Sequence, residues 1–139
     1  MHEAPRGGLG LLSWNINDNS DRTLGLKSST DDFRRHLKGQ QIFCLQETKS
    51  EIKIPDYKCF NKLRDDSRSG GLCIGIHREY QHLVEHVETG RYPDVMAVKL
   101  SGELVSGVEV ILVNVYDSQE HSSYKQRKSK QGQPVETAL

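Results

Sequence analysis

Gln41-Ile42-Phe43-Cys44-Leu45-Gln46-Glu47-Thr48-Lys49 is the stretch from which the fold is read. An unbroken apolar run between polar residues is the pattern of a strand covered on both faces. This one ends on a carboxylate. Upstream, Leu9-Gly10-Leu11-Leu12-Ser13-Trp14-Asn15-Ile16 has the same form and runs into a polar mouth over residues 15–21. Between the two, Thr30 suits a helix N-cap, and Asp31 and Asp32 suit the positive end of the helix dipole. Phe33 and Leu37 share one helical face, and Gly39 closes the helix. Strand, helix and strand within about forty residues make a βαβ-like unit, whose pairing direction the sequence leaves open.

After Lys49 the pattern changes. A loop carries Pro55, a weaker strand is expected over 57–63, and Gly70-Gly71-Leu72-Cys73-Ile74-Gly75-Ile76 reads as a clearer one. Strands over 83–87, 95–100 and 108–116 follow, spaced by Gly90-Arg91-Tyr92-Pro93 and Ser101-Gly102-Glu103. Those gaps suit hairpins, so this half should be mainly antiparallel. In 108–116 both alternating faces are mostly apolar, which predicts a central strand covered on each side. Residues 1–8 read as an N-terminal extension, 9–118 as the domain, and 119–139 as a polar, basic segment. That segment holds Lys125, Arg127, Lys128 and Lys130. It ends in Val135-Glu136-Thr137-Ala138-Leu139, which has the character of a helix start about one turn long.

The chain has 139 residues, room for one domain of ordinary size. Its 19 basic and 19 acidic side chains cancel, so no global field draws it onto nucleic acid, and any phosphate binding must be local. At 35% hydrophobic the core is lean, and collagen-like, low-complexity and disulfide-framework proteins are excluded. Cys44, Cys59 and Cys73 form no CxxC pair, so a zinc knuckle or redox dithiol is not expected and a reducing compartment is. The longest apolar stretch, 108–116, is half of what a membrane span needs. The N-terminus lacks the apolar region of a signal peptide. The expectation is a soluble, intracellular protein without a membrane partner, and no motif marks a dedicated protein partner.

If the two strand ends are neighbours, Asn15, Asn17 and Glu47 converge where ligand sites form in open α/β sheets. One carboxylate with neutral oxygens suits a hard cation such as Mg2+. The same residue types also serve as turn formers and a solvated charge, and residue types alone leave both readings open. Lys58, Lys62, Arg64 and Arg68 form a candidate nucleic-acid-facing cluster, against the alternative of ordinary solvated charges. Gly70-Gly71 reads as backbone freedom at a strand start rather than a phosphate loop.

Ser13-Trp14-Asn15-Ile16-Asn17, Cys44-Leu45-Gln46-Glu47-Thr48-Lys49, Ser69-Gly70-Gly71-Leu72 and Val113-Asn114-Val115-Tyr116 fall in the order and spacing of one known family. The chain resembles the endonuclease/exonuclease/phosphatase superfamily, which includes exonuclease III, DNase I and the apurinic endonucleases. It looks most like the endonuclease domain of non-long-terminal-repeat retrotransposons. The resemblance covers nearly all of 9–139. It implies an α/β fold, the N-terminal half of a DNase I-like two-sheet sandwich, with mainly antiparallel strands and one or two short helices. It further implies that Glu47 is the metal-binding glutamate and that Asn15 orients the site around metal and phosphate. Asn17 stands where many relatives have an aspartate and offers the metal only a neutral oxygen. Tyr116 matches a tyrosine whose hydroxyl contacts the scissile phosphate. The implied chemistry is phosphodiester hydrolysis assisted by Mg2+, with Mn2+ as a substitute, on DNA. A nuclear location follows from that substrate alone.

The departures from the family count equally. Its second half supplies a Gly-Asp-x-Asn strand end and a late Asp-His pair, and this sequence contains neither. None of the six His, at 2, 36, 77, 82, 86 and 121, sits near such a motif. Residues 9–118 are therefore read as a partial domain of a retroelement-type endonuclease, catalytically incomplete, since acid–base groups supply about 10²–10⁴-fold in rate. The alternatives are a non-catalytic binding module or degenerate relic, and a superfamily phosphatase acting on a small phosphorylated molecule.

Overall fold

The expected strand–helix–strand unit forms. In the computed structural model, which describes residues 9–21, 25–65, 69–117 and 135–138, β1 spans Gly10–Asn15. Two short strands that pair with each other follow, β2 (Ser20–Asp21) and β3 (Gly25–Leu26). Then come α1 (Asp31–Leu37) and β4 (Ile42–Gln46). Thr30 Oγ1 accepts the Phe33 amide at 3.2 Å, so the N-cap is the residue the sequence predicts. Gly39, at φ +87°, turns the chain out of the helix. β1 and β4 lie parallel, with Leu11 opposite Ile42 and Asn15 opposite Gln46. The direction that the sequence left open is thus the one that carries both strand ends to the same edge.

The rest is antiparallel. β5 (Tyr57–Lys62) and β6 (Leu72–His77) complete the first sheet. β7 (Val84–Val87), β8 (Val95–Leu100) and β9 (Val110–Val115) make the second. β10 (Val135–Ala138) pairs with β1, giving the first sheet the order β10-β1-β4-β6-β5, and the second runs β7-β8-β9. This is a mixed α/β architecture of two mostly antiparallel sheets with few short helices.

Period-two alternation divides the first sheet between two cores. Ile42 and Cys44 of β4, with Leu72, Ile74 and Ile76 of β6, face Met96, Val98 and Leu100 of the second sheet. Phe43 and Leu45, with Leu12 and Cys73, face the other way onto Phe33 and Leu37 of α1 and onto Ile52 and Ile54. That double cover is why β4 has no polar alternation.

Two expectations are corrected. The segment expected to start a helix is a strand over Val135–Ala138. A single isolated helical turn is unstable, whereas β1 without this neighbour would present an unpaired ladder edge. Residues 108–116 do not form a central strand covered on both faces. Within the described residues β9 is an edge strand of the second sheet, and Ile111, Val113 and Val115 are 53%, 48% and 54% exposed. Apolar alternation fixes which side chains share a face, but cover comes from whatever layer packs there. Residues 1–8, the basic cluster of 125–130 and Arg68 lie outside the described residues.

Candidate functional site

The ends of β1 and β4, the starts of β6 and β8 and the end of β9 meet at one edge of the molecule, because Asn15 pairs with Gln46, Gln46 with Leu72, and Val95 with Val115. Glu47 leaves β4 at that edge with φ +54°. Its carboxylate accepts a short hydrogen bond from the Tyr116 hydroxyl, 69 positions later and on the other sheet. The two residues singled out from distant motifs therefore touch. Tyr116 is held protonated well above the ordinary phenol range, first by burial, then by donating to Glu47 and by that carboxylate's charge. Arg64 acts in the opposite direction and does not offset these.

Asn15 sits beside them, with its side chain turned to the backbone. Its Oδ1 accepts the Asn17 amide at 3.0 Å and shapes the turn after β1. Asn17, at φ +51°, is exposed at the mouth. Lys27 reaches back under this turn, its Nζ 2.8 Å from the Ile16 carbonyl and 3.3 Å from that of Asn17. Asp18, which the sequence marks only as a turn former, donates its amide to the Glu47 carbonyl at 2.6 Å. Partial burial raises its carboxyl pKa. The amide and hydroxyl of Ser20, with Lys49 and Lys27, outweigh that and hold it below the usual value.

The loop that carries Glu47 is clamped from beneath. Thr48 and Lys49 donate their amides to the carbonyls of Gly71 and Gly70 at 3.1 and 3.0 Å, and Thr48 accepts from Asn19 at 3.1 Å. Lys49 is left-handed too, at φ +57°. Gly71 has φ +96°, and a Cβ there would stand 2.5 Å from Thr48 Oγ1 and 2.7 Å from the Lys49 nitrogen. So Gly70-Gly71 does supply backbone freedom, as the sequence suggests, and here that freedom serves the seat of Glu47. Thr48 Oγ1 is fully buried and has no hydrogen-bond partner among the described residues.

A second support is an amide relay between the sheets. Buried Asn114 donates to the carbonyls of Leu45 and Cys73, each at 3.0 Å, and its Oδ1 accepts from Gln46 Nε2 at 2.7 Å. Gln46 also donates to Ser13 Oγ at 3.2 Å. Asn19, fully buried, accepts the Ser28 amide at 2.8 Å and so ties the mouth to the approach of α1. None of these was assigned a role from sequence. The available signal was a polar residue inside an apolar alternation, as at Asn114.

Of the described basic candidates, Lys62 and Arg64 meet at residues 94–95, and Lys58 lies apart from them. Lys62 Nζ lies 2.6 Å from Thr89 Oγ1 and within 3.2 Å of the Val95 and Gly90 carbonyls, fastening β5 to the second sheet. Arg64 grips Asp94 with Nε and Nη2 and Ser69 Oγ with Nη1, while the Asp94 carbonyl accepts the Tyr116 amide at 3.0 Å. Lys58 lies 5.7 Å over the Phe60 ring and pairs opposite Ile76, toward the far end of the sheet. Arg68 is outside the described residues.

Among the described residues, no three His, Cys, Asp or Glu side chains group to hold a metal. The donors at the mouth are the Glu47 carboxylate, the Asp18 carboxylate already engaged by Ser20 and Lys49, and amide oxygens. A carboxylate has lone pairs for both the Tyr116 hydroxyl and an ion. Mg2+ commonly takes one or two carboxylates and keeps its waters, so this donor set fits it.

No protein-family model matches the chain, and no curated protein matches it either. Solved structures do match. D. rerio TDP2 complexed with single-strand DNA product superposes with TM-score 0.50 at 18% identity, over 88% of this chain and 53% of that one. The endonuclease domain of TRAS1, a telomere-specific non-LTR retrotransposon, gives 0.53 at 11%, over 86% and 50%. D. rerio TDP2 humanized by 14 mutations gives 0.51 at 17%, over 88% and 56%. The chain spans about half the length of these structures. At such identities the likeness is one of fold.

Proposed function

From the DNase I-like fold of the endonuclease/exonuclease/phosphatase superfamily, which this chain adopts, we propose that its mouth is the metal- and phosphate-holding part of a phosphodiesterase site acting on DNA. One observation carries the reading, the Glu47–Tyr116 contact at the strand ends. Glu47 holds a divalent ion, Mg2+ or Mn2+, with a neutral oxygen from Asn17. When bound, the ion supplies positive charge to a phosphoryl oxygen and to the leaving oxygen. Tyr116, kept protonated, donates to a phosphate oxygen, and Asn15 holds the turn that presents the metal side. DNA as partner is supported by the TDP2 neighbour, which is bound to single-strand DNA product.

This chain holds the orienting part of the chemistry without the part that activates water. It has no Gly-Asp-x-Asn and no Asp-His, the Glu47 carboxylate accepts from Tyr116, and the Asp18 carboxylate is engaged by Ser20 and Lys49. The reading is therefore a fragment-like endonuclease domain that binds and does not turn over. Fluorescence anisotropy with a labelled DNA oligonucleotide tests the first half. Binding should strengthen with Mg2+, and Glu47→Gln should remove that metal dependence. Mg2+-dependent binding that survives Glu47→Gln refutes the site. A plasmid-nicking assay tests the second half. Robust nicking that disappears in Glu47→Ala would show that the catalytic set is complete.

A further inference from the structure

Arg64 stands just beyond the end of β5, and its side chain is 25% exposed. Its Nε donates to Asp94 Oδ1 at 3.1 Å and its Nη2 to the other oxygen of that carboxylate, the planar fork that arginine makes with an acid. Nη1 donates to Ser69 Oγ at 2.9 Å. Between these ends the side chain lies on Gly70, where a Cβ would stand 2.6 Å from Nε and 2.8 Å from Cδ.

Each partner leads to one half of the Glu47–Tyr116 contact. Ser69 opens the Gly70-Gly71 turn, whose carbonyls accept the Lys49 and Thr48 amides at 3.0 and 3.1 Å and so seat Glu47. Asp94 precedes β8, and its carbonyl accepts the Tyr116 amide at 3.0 Å. Glu47 follows a strand of the first sheet and Tyr116 a strand of the second, and among the described residues no strand ladder joins the two sheets. Side chains must therefore fix one sheet against the other at the mouth, and Arg64 touches the supports of both residues.

We propose that Arg64 is a positioning residue for this site, a strut that fixes the seat of Glu47 against the main chain of Tyr116 and so sets the geometry in which metal and phosphate are held. The inference rests on the phosphodiesterase reading and deepens it. It also changes what the cation is for. Nε, Nη1 and Nη2 each donate within the protein, and the Asp94 carboxylate matches the charge, so the guanidinium acts through its neighbours rather than on a DNA phosphate. A lysine cannot replace it, because one ammonium lacks the fork that holds a carboxylate with two prongs. Groups that orient a metal ligand from behind typically cost about 10–100-fold in metal affinity when removed.

The test uses the full chain and two readouts. The first needs neither DNA nor metal. With isotope-labelled tyrosine Cζ, Tyr116→Phe identifies the Tyr116 resonance, and Glu47→Ala marks its position when the contact is lost. Arg64→Gln and Arg64→Lys should both move the resonance toward that position. Asp94→Asn, which keeps the shape of the side chain and weakens the fork, should move it the same way. Ser69→Ala removes only the arm to the Glu47 seat, is the change least able to disturb folding, and should move it part of the way. The second readout is DNA anisotropy. Arg64→Gln should raise the Mg2+ concentration at half-maximal gain in affinity by about 10–100-fold. It should leave the salt slope of metal-free binding unchanged, whereas loss of a direct phosphate contact lowers that slope by about one. A Tyr116 resonance that stays at the parent position in Asp94→Asn and Ser69→Ala, full rescue by Arg64→Lys, or a salt slope reduced by about one would each overturn the proposal. A parent chain whose DNA binding ignores Mg2+ refutes the phosphodiesterase reading instead, and a shifted Tyr116 resonance then still supports Arg64 as the strut of the contact.

Discussion

Gly71→Ala is the sharpest perturbation of the seat beneath Glu47. A left-handed backbone costs a residue with a Cβ about 1–2 kcal/mol, and Gly71 is at φ +96°. The new methyl also meets Thr48 Oγ1 at 2.5 Å and the Lys49 nitrogen at 2.7 Å, with Leu63 Cδ2 at 3.4 Å behind them. Overpacking a well-filled site adds about 1–3 kcal/mol. The expected loss is roughly 2–5 kcal/mol, a large part of the ~5–15 kcal/mol that holds a domain together. For a chain of this size it should lower the melting temperature by roughly 8–20 °C. Relief through movement of the loop opens the Thr48 and Lys49 amide bonds to Gly71 and Gly70, and that movement carries Glu47 away from Tyr116. Urea denaturation gives the stability. The double variant Gly71→Ala with Thr48→Ala separates the two contacts, because deleting Oγ1 leaves the Lys49 nitrogen in place. Partial rescue is expected. A Gly71→Ala midpoint within about 0.5 kcal/mol of the parent, the range of a neutral surface change, would refute the argument that this glycine is needed for space and for its dihedral angle.

Asn114→Leu should destabilise the chain by about 2–4 kcal/mol in the same denaturation assay, because it strands the Leu45 and Cys73 carbonyls and the Gln46 amide. An unchanged midpoint would mean the relay adds nothing. Asp18 has a folded pKa below its unfolded 3.8. Its carboxylate therefore adds stability above the unfolded value, and that stability is lost as pH falls through the folded one. Asp18→Asn should flatten the acid limb of the urea midpoint against pH below about pH 4, and an acid limb that stays as steep assigns the dependence to other groups.

The residues that specify local structure are legible in the chain. Thr30, Asp31, Phe33 and Leu37 mark α1 because a cap and a helical face are set by neighbours three or four positions apart. The apolar run of 42–46 marks β4 for a comparable reason, and the motifs around Glu47 and Tyr116 identify the fold through their order alone. Pairing depends on partners far along the chain, and here the three-dimensional structure decides. Parallel register between β1 and β4 sets Asn15 beside Gln46. A strand ladder claims Val135–Ala138 over its local helical character, because β1 offers open hydrogen-bonding groups. In sequence Lys62 and Arg64 read as nucleic-acid-facing candidates or as solvated charges, and the fold gives them Thr89, Val95 and Asp94 as partners. β9 reads as a two-sided strand, yet cover is a property of the layer above it and not of its own alternation. The Glu47–Tyr116 contact closes across 69 positions and between two sheets. Each residue announces itself through its strand, but their meeting depends on how the sheets stack, which no local preference encodes.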